Sequence, residues 1–243
     1  MFFGFFWGDW TLILLLPAMI FALIAQARVQ STFNKYSRIS TARGISGAEA
    51  ARRILDKNGL SHVKVERVKG HLSDHYDPRT NVIRLSEATH DSTGIGALGV
   101  AAHEAGHAVQ HATGYLPLKL RNAIVPVTQF GSRLSMPLFL IGLLLVGFSA
   151  MDVAIGEFLM FAGIALFSLS TLFQLITLPT EFNASARALS SLEESEILTG
   201  DEIAGARKVL SAAAMTYVAA LATSLAYLLR FILIAAGASG RRR

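Results

Sequence analysis

Three histidines and a glutamate lie close together in the stretch AAHEAGHAVQH at 101–111. On a helix, residues four positions apart lie on one face about one turn apart. His103 and His107 can therefore present two imidazole nitrogens to one ion, at roughly 2.0–2.1 Å if the ion is zinc. Glu104 would stand beside that ion, where its carboxylate can take a proton from the water that the ion activates. The spacing thus predicts a hydrolytic metal site, the alternative being solvated histidines on an ordinary helix.

A catalytic zinc site needs a third protein ligand and one open position. His111 continues the four-residue spacing, but eight residues of helix separate it from His103 by about 12 Å. We therefore interpret His111 as a rim or surface histidine. Glu181, in LPTEFNASARAL at 178–189, is the better candidate for the third ligand.

The position of Glu181 follows from the apolar run that precedes it. Pro179 is expected to end or kink that helix at the membrane surface. A new helix beginning near Thr180 would place Glu181 in its first turn. Taken alone, a glutamate in a first turn is also explained by compensation of the helix dipole.

The chain is too apolar for an average soluble domain, with 52% hydrophobic residues and a mean hydropathy of +0.46. A bilayer crossing needs roughly 20 mostly apolar residues. We predict four membrane helices from runs that each hold at most one charged residue: 1–25, 134–151, 153–178 and 212–237. Core helices of a soluble domain are the alternative. The first part of this run carries Asp9 and no basic residue, which favours a retained anchor over a signal peptide.

Basic residues follow the first apolar run closely, namely Arg28, Lys35, Arg38 and Arg43. The positive-inside tendency therefore predicts that residues 26–133 face the cytoplasm. Anionic lipid accounts for the net charge of +5, so no nucleic-acid partner is needed. The tail RRR at 241–243 conflicts with this orientation, because four crossings would place it outside. The chain has no cysteine, which excludes disulfides and thiolate ligands.

The predicted organisation alternates membrane and polar segments. The second and third membrane helices are joined around Asp152 as a hairpin, which returns the later polar segment to the side of the earlier one. The segments are a membrane anchor (1–25), a peptidase segment (26–133), a transmembrane hairpin (134–178), a segment with the third ligand (179–211), a last membrane helix (212–237) and a basic tail (238–243).

Local signals divide the first polar segment into helices and strands. Ser46 and Glu49 form a capping box for a helix that ends near Asn58. VKVERV at 63–68 and VIRL at 82–85 are typical of strands, and DHYDPRTN at 74–81 is typical of a turn. A helix from about Ser92 to Gly114 carries the HEAGH motif.

Together these motifs resemble the bacterial membrane-bound neutral zinc metallopeptidases of the YugP type. The resemblance rests on AAHEAGHAVQH and LPTEFNASARAL, and it extends over nearly the whole chain in the same order. Further matching stretches are STFNKYSRI at 31–39, SGAEAARRILDKNGL at 46–60, LSDHYDPRTNVIRLS at 72–86 and AAAMTYVAALATSLAYLLRFI at 212–232.

The resemblance implies His103, His107 and Glu181 as ligands of one zinc ion per chain, with Glu104 as general base. Many related peptidases carry an aspartate four residues after the glutamate ligand, where it orients a ligand histidine. This chain has Ser185 there, a weaker partner than a carboxylate. The group that orients the histidines therefore stays open, with Asn183 as one alternative.

The resemblance implies an α+β fold, mainly helical, with about four transmembrane helices and a zincin-like core of an active-site helix plus a small sheet. In such cores an edge strand beside the metal binds the substrate in extended form. Val82, Ile83, Arg84 and Leu85 would suit that role, the alternative being an ordinary sheet strand.

Several polar residues are candidates for lining the site. His75 and Asp77 either line it or hold a turn, and the turn is the better interpretation. An oxyanion stabiliser is also needed, and His75, Arg187 and Tyr217 are candidates by residue type.

We therefore expect a membrane-embedded zinc metalloendopeptidase of the bacterial plasma membrane, acting on membrane or misfolded proteins at the cytoplasmic face. One alternative is a non-catalytic metal-binding membrane scaffold, which would not require Glu104 as a carboxylate. An intramembrane protease is disfavoured, because only Gly94–Ala102 is apolar before His103.

Overall fold

A computed structural model describes residues 10–70, 73–148 and 153–240, which form two compact units built from separated stretches of the chain. The apolar unit contains residues 10–23, 120–148, 153–177 and 218–240. The site unit contains residues 24–70, 73–119 and 178–217. The predicted link around Asp152, the start of the anchor and the RRR tail lie outside the described residues.

Helices dominate both units. A 3-10 turn at Trp10–Leu14 precedes the first helix. The helices in chain order are α1 (Leu15–Ser37), α2 (Gly47–Lys57), α3 (Glu87–His90), α4 (Ile95–Ala112), α5 (Leu116–Phe148), α6 (Val153–Glu194) and α7 (Asp201–Gly240).

The four long helices α1, α5, α6 and α7 each contain a stretch that is long and apolar enough to cross a membrane. The prediction of about four transmembrane helices is therefore confirmed on length and composition. The helices also extend beyond the apolar runs, since α5 begins at Leu116 and α7 at Asp201. The α7 extension belongs to the site unit, where Ile203, Ala206 and Leu210 are part of the core, whereas only residues 116–119 of the α5 extension belong to that unit.

Helix α6 corrects the expectation for Pro179. The helix runs without a break from Val153 to Glu194, so no new helix starts near Thr180 and Glu181 lies in the helix interior. Proline in a helix interior costs about 3 kcal/mol through its missing N–H and its ring. Burial on the site-unit side outweighs this penalty, because Ala184, Ala188 and Leu192 are fully buried.

The interior of the apolar unit is formed by aromatic and small residues. The rings of Phe139 and Phe231 stack with centroids 4.6 Å apart. A Cβ on Gly163 would lie 2.7 Å from the carbonyl oxygen of Ser135, so α5 and α6 approach closely at this glycine. Large apolar side chains such as Phe158 point outward, as a lipid-facing surface requires.

A three-stranded sheet belongs to the site unit and consists of β1 (Lys64–Val68), β2 (His75–Asp77) and β3 (Val82–Ser86). The order is β1-β3-β2, with β1 parallel and β2 antiparallel to β3. Strands β1 and β3 were predicted, whereas β2 lies where a turn was expected. The predicted class, α+β and mainly helical with a small sheet, is confirmed.

The sheet order contradicts the expectation that Val82–Leu85 is an edge strand. These residues form the central strand, hydrogen-bonded to a neighbour on each side. Val82, Ile83 and Leu85 are buried, and Arg84 pairs with Asp77 at 3.2 Å and Glu66 at 3.7 Å. A peptide cannot add to a strand whose two edges are both occupied, so an extended substrate cannot pair with β3.

Helices α2 and α4 hold the sheet. Ser46 caps α2 as predicted, since its Oγ accepts a hydrogen bond from the Glu49 N–H at 3.2 Å, while the Glu49 carboxylate pairs with Arg53. Helix α4 is buried on most of its surface, including Leu98, Ala101 and Ala105. The close packing of α4 fixes the direction in which its motif side chains point.

Candidate metal centre

The two motif histidines lie one turn apart on α4, as their spacing predicts. Their ring centroids are 4.7 Å apart and the rings are nearly perpendicular, at 83°. Nε2 of His103 lies 3.2 Å from Glu181 Oε2, and Nε2 of His107 lies 3.5 Å from the same oxygen. Ligand atoms of all three residues therefore lie within 4.8 Å of one another.

Close approach of two helices makes this convergence possible. Gly106 lies on α4 where this helix meets α6, and a Cβ there would lie 2.7 Å from the carbonyl oxygen of Ala184 on α6. The missing side chain lets α6 bring Glu181 against the histidine pair. The Glu181 side chain is only 2% exposed, so its carboxylate is held in a largely dry environment.

The chemistry of the donor set fits zinc. Two imidazoles and one carboxylate are the ligand types that zinc takes in hydrolytic sites. Each histidine also has a partner at its other nitrogen: Ser185 Oγ lies 3.2 Å from His103 Nδ1, and Gln110 Oε1 lies 3.0 Å from His107 Nδ1. Those contacts direct both Nε2 atoms toward the carboxylate, where a cation would be held.

Electrostatics within the group favour positive charge. Burial lowers the pKa of His107, but the hydrogen bond to Glu181 and the charges of Glu104 and Glu181 outweigh burial and raise it overall. A divalent cation would satisfy the same negative potential, in competition with protons.

Glu104 stands next to the ligands and is held in place by the backbone of β2. Its Oε2 accepts a hydrogen bond from the Tyr76 N–H at 2.9 Å, and the residue is 8% exposed. Because Tyr76 uses its N–H for this contact, the N–H is not part of the ladder with β3. A carboxylate fixed at one oxygen keeps the other available for proton transfer.

A cavity of about 150 Å³ opens beside this group. Its lining contains both polar and apolar residues. The polar lining consists of Asp74, His103, Glu104, Glu181 and Ser185, and the remainder of Val100, Val209, Leu210, Ala213, Ala214 and Tyr217. The wall contributed by α7 is thus made mostly of small and aliphatic side chains.

The residues predicted to line the site differ in where the structure places them. Tyr217 lines the cavity. Asp77 holds a turn, accepting from the Arg79 N–H at 2.9 Å and the Thr80 hydroxyl at 2.8 Å, and these bonds lower its pKa to about 2. His75 is exposed and its Nδ1 lies 2.8 Å from the Ser73 carbonyl.

Two further candidates contact other polar residues. Arg187 Nε donates to Asn183 Oδ1 at 2.8 Å. His111 is exposed, and its Nδ1 lies 3.0 Å from the Tyr76 hydroxyl, which agrees with its interpretation as a rim or surface histidine. Neither residue is part of the described cavity lining.

Sequence reasoning missed Gln110 and the Tyr76 N–H. Gln110 lies within the quoted motif, three residues after His107. A glutamine among the buried positions of a helix is a signal that could have identified it as a partner of a ligand. Its partners on α6 are about seventy positions away in sequence, so the motif alone does not reveal them. A backbone donor such as the Tyr76 N–H leaves no sequence signal.

Residues 11–236 match the model of a family described as "Putative neutral zinc metallopeptidase". The chain belongs to this family. The chain is also 48% identical to the "Putative membrane protease YugP" of Bacillus subtilis (strain 168), over 221 residues that cover 91% of this chain and 94% of the relative. No solved structure matches the chain.

Membership in this zinc metallopeptidase family confirms the resemblance predicted from the motifs. It makes zinc the metal expected for the group of His103, His107 and Glu181. The relative's name and the four apolar helices both indicate a membrane protein.

Proposed function

We propose that this protein is a zinc metalloendopeptidase that cleaves membrane or misfolded proteins at the cytoplasmic face of the membrane. The observation that carries the proposal is the convergence of His103, His107 and Glu181 on one point, with Glu104 beside it. We assign the first three residues as ligands of one zinc ion and Glu104 as the general base.

The proposed mechanism divides the chemistry among this chain's residues. Zinc, when bound, lowers the pKa of water to about 7 and polarises a carbonyl. Glu104 takes the proton of the attacking water and later passes it to the leaving amine. The Tyr76 N–H holds the Glu104 carboxylate in one orientation throughout.

Tyr217 is the candidate that best suits oxyanion stabilisation. It lines the cavity with the ligand residues, and its hydroxyl can donate a hydrogen bond to the negative charge that develops on the carbonyl oxygen. Of the other two candidates, His75 is exposed and contacts the Ser73 carbonyl, and Arg187 contacts Asn183.

The decisive experiment compares wild type, Glu104→Gln and Glu181→Ala as full-length protein in detergent. Zinc content and hydrolysis of a membrane protein substrate are measured on each. We expect about one zinc per chain in wild type, the same zinc without hydrolysis in Glu104→Gln, and loss of zinc in Glu181→Ala.

Three results would count against parts of the proposal. Full zinc affinity in Glu181→Ala would remove it from the ligand set. Full hydrolysis by Glu104→Gln would remove Glu104 as the base. Zinc binding by wild type without hydrolysis of any substrate tested would favour the metal-binding scaffold.

The proposed orientation is tested by cysteine labelling, because the chain contains no cysteine of its own. Arg79 is exposed in the site unit, and Arg79→Cys provides a single thiol there. In intact cells, we expect a membrane-impermeant maleimide to label this thiol only after the membrane is opened. Asp152→Cys, in the sequence-predicted link on the opposite side, is the control that should label without opening. Labelling of Arg79→Cys in intact cells would reverse the proposed topology.

A further inference from the structure

A completely buried glutamine connects a ligand histidine to the neighbouring helix. Gln110 is 0% exposed, and both ends of its amide have partners. Its Oε1 lies 3.0 Å from His107 Nδ1, and its Nε2 donates to the Thr180 carbonyl at 2.8 Å and to Asn183 Oδ1 at 3.0 Å. The side chain thus bridges α4 and α6 directly behind the ligand group.

The direction of the Gln110 amide is fixed by its partners. The Thr180 carbonyl can only accept a hydrogen bond. A reversed amide would place its oxygen against that carbonyl oxygen, where two acceptors repel each other and no donor lies between them. The NH₂ group therefore faces α6, and the oxygen faces His107.

A second fixed group supports the same arrangement from the other end. Arg187 Nε donates to Asn183 Oδ1 at 2.8 Å, and a guanidinium group has donors only. Asn183 must therefore present its oxygen both to Arg187 and to Gln110. The Thr180 carbonyl can only accept and the Arg187 guanidinium can only donate. Together they fix the orientation of the two amides that lie between them, those of Gln110 and Asn183.

We propose that Gln110 holds His107 in the tautomer with its proton on Nδ1, and that Arg187, acting through Asn183, holds Gln110. Because Oε1 of Gln110 can only accept, Nδ1 of His107 must be the donor, and in the neutral ring the lone pair is left on Nε2. That nitrogen faces Glu181 and is then ready to bind a cation. These three residues are positioning residues for the metal centre, and the inference rests on the ligand set proposed above.

His103 provides the internal contrast. Its Nδ1 contacts the hydroxyl of Ser185, which can both donate and accept. A hydroxyl adapts to either tautomer, so it does not impose one. The relay formed by Arg187, Asn183 and Gln110 therefore makes His107 the preorganised ligand, whereas His103 adjusts when the metal binds.

The test reads the tautomer and the metal affinity separately, on the full chain in detergent. Long-range ¹H–¹⁵N correlation spectra of the metal-free protein, recorded at a pH at which the His107 ring is neutral, report which ring nitrogen carries the proton. The resonance is assigned by its loss in His107→Phe. Zinc dissociation constants come from competition with a chelator. The variants are Gln110→Met, which fills the same space without an acceptor, Arg187→Met and Arg187→Lys.

We expect Gln110→Met to lose the fixed Nδ1–H tautomer and to bind zinc about 10- to 100-fold more weakly. Arg187→Met should move both readouts in the same direction by less, and Arg187→Lys should restore them, because an ammonium also donates to Asn183. Ser185→Ala is the control at the other histidine and should leave the His107 tautomer unchanged. Arg43→Met removes an exposed ion pair with Glu196 and should change neither readout.

Two outcomes would overturn the relay. One is a folded Gln110→Met protein that keeps the Nδ1–H tautomer and the wild-type zinc affinity. If that variant does not fold, unchanged spectra and affinity in Arg187→Met overturn the relay instead. Absence of zinc binding by wild type would contradict the metal site itself, while the metal-free spectra would still test the tautomer.

Discussion

The two units of this protein bury their polar groups in different ways. In the apolar unit, hydroxyls such as those of Thr128 and Ser135 donate to a carbonyl of their own helix. In the site unit, buried polar groups bond between elements, as Gln110 does to Thr180 and the Tyr76 N–H does to Glu104. The apolar unit satisfies such hydroxyls mostly within one helix, whereas the site unit uses polar groups to fix one element against another.

This difference follows from what each unit must do. Helices in hydrocarbon satisfy their backbones internally and associate by close packing of small residues. A hydrolytic centre needs charged and polar groups held at fixed positions with low exposure, which requires partners in several elements. The glycines show the same division, since Gly163 serves packing alone, whereas Gly106 brings a ligand carboxylate to its histidines.

The largest expected effect breaks the helix contact at Gly106. Gly106→Leu would force α4 and α6 apart, because even a Cβ there lies 2.7 Å from the Ala184 carbonyl oxygen. Since Glu181 on α6 would move away from the histidines, we expect zinc affinity to fall by more than about 100-fold. Competition with a chelator measures this loss.

Gly163→Leu is the matched substitution in the apolar unit. The same 2.7 Å distance, here to the Ser135 carbonyl oxygen, predicts a similar steric conflict. We expect a loss of about 1–3 kcal/mol in the free energy of unfolding, with zinc affinity retained. Equal loss of zinc affinity in both variants would refute the division of roles between the units.

A smaller effect is expected from the backbone donor of β2. Tyr76→Pro removes the N–H that holds Glu104 without removing a ladder bond to β3. A hydrogen bond to a charged group contributes about 1.5–3 kcal/mol, so we expect kcat to fall about 10- to 100-fold with zinc content unchanged. Tyr76→Ala lacks the same ring but keeps the N–H, and it is the control. Equal kcat values in the two variants would show that this N–H does not matter.

Some of this arrangement was predictable from sequence because it is local. His103 and His107 share a face by helix periodicity alone, and Ser46 with Glu49 marks a helix start by its own chemistry. Glu181 was predicted as a ligand, although the reason given for its position was wrong. Burial of the residues after Pro179 carries α6 through the proline, and local propensity cannot show that burial.

Other parts depend on contacts that are distant in sequence. The three residues of β2 precede Pro78 and are typical of a turn, and only pairing with β3 makes them a strand. That pairing also places Val82–Leu85 in the centre of the sheet instead of at its edge. Gln110 and Asn183 each look like an ordinary polar helix residue until α4 and α6 are packed together.

The smallest expected effect tests a polar contact between two helices of the apolar unit. Thr171 and Ser224 are buried, and their hydroxyl oxygens lie 2.7 Å apart. Such bonds between membrane helices contribute about 0.6 kcal/mol on average, because the separated helices find other partners. A double-mutant cycle of Thr171→Val and Ser224→Ala, measured by unfolding in detergent, should give a coupling energy of about that size. Zinc affinity should stay the same, because neither residue belongs to the site unit. A coupling energy well above about 2 kcal/mol would mean that the apolar unit relies on polar contacts between its helices. A change in zinc affinity would mean that this contact also supports the metal centre.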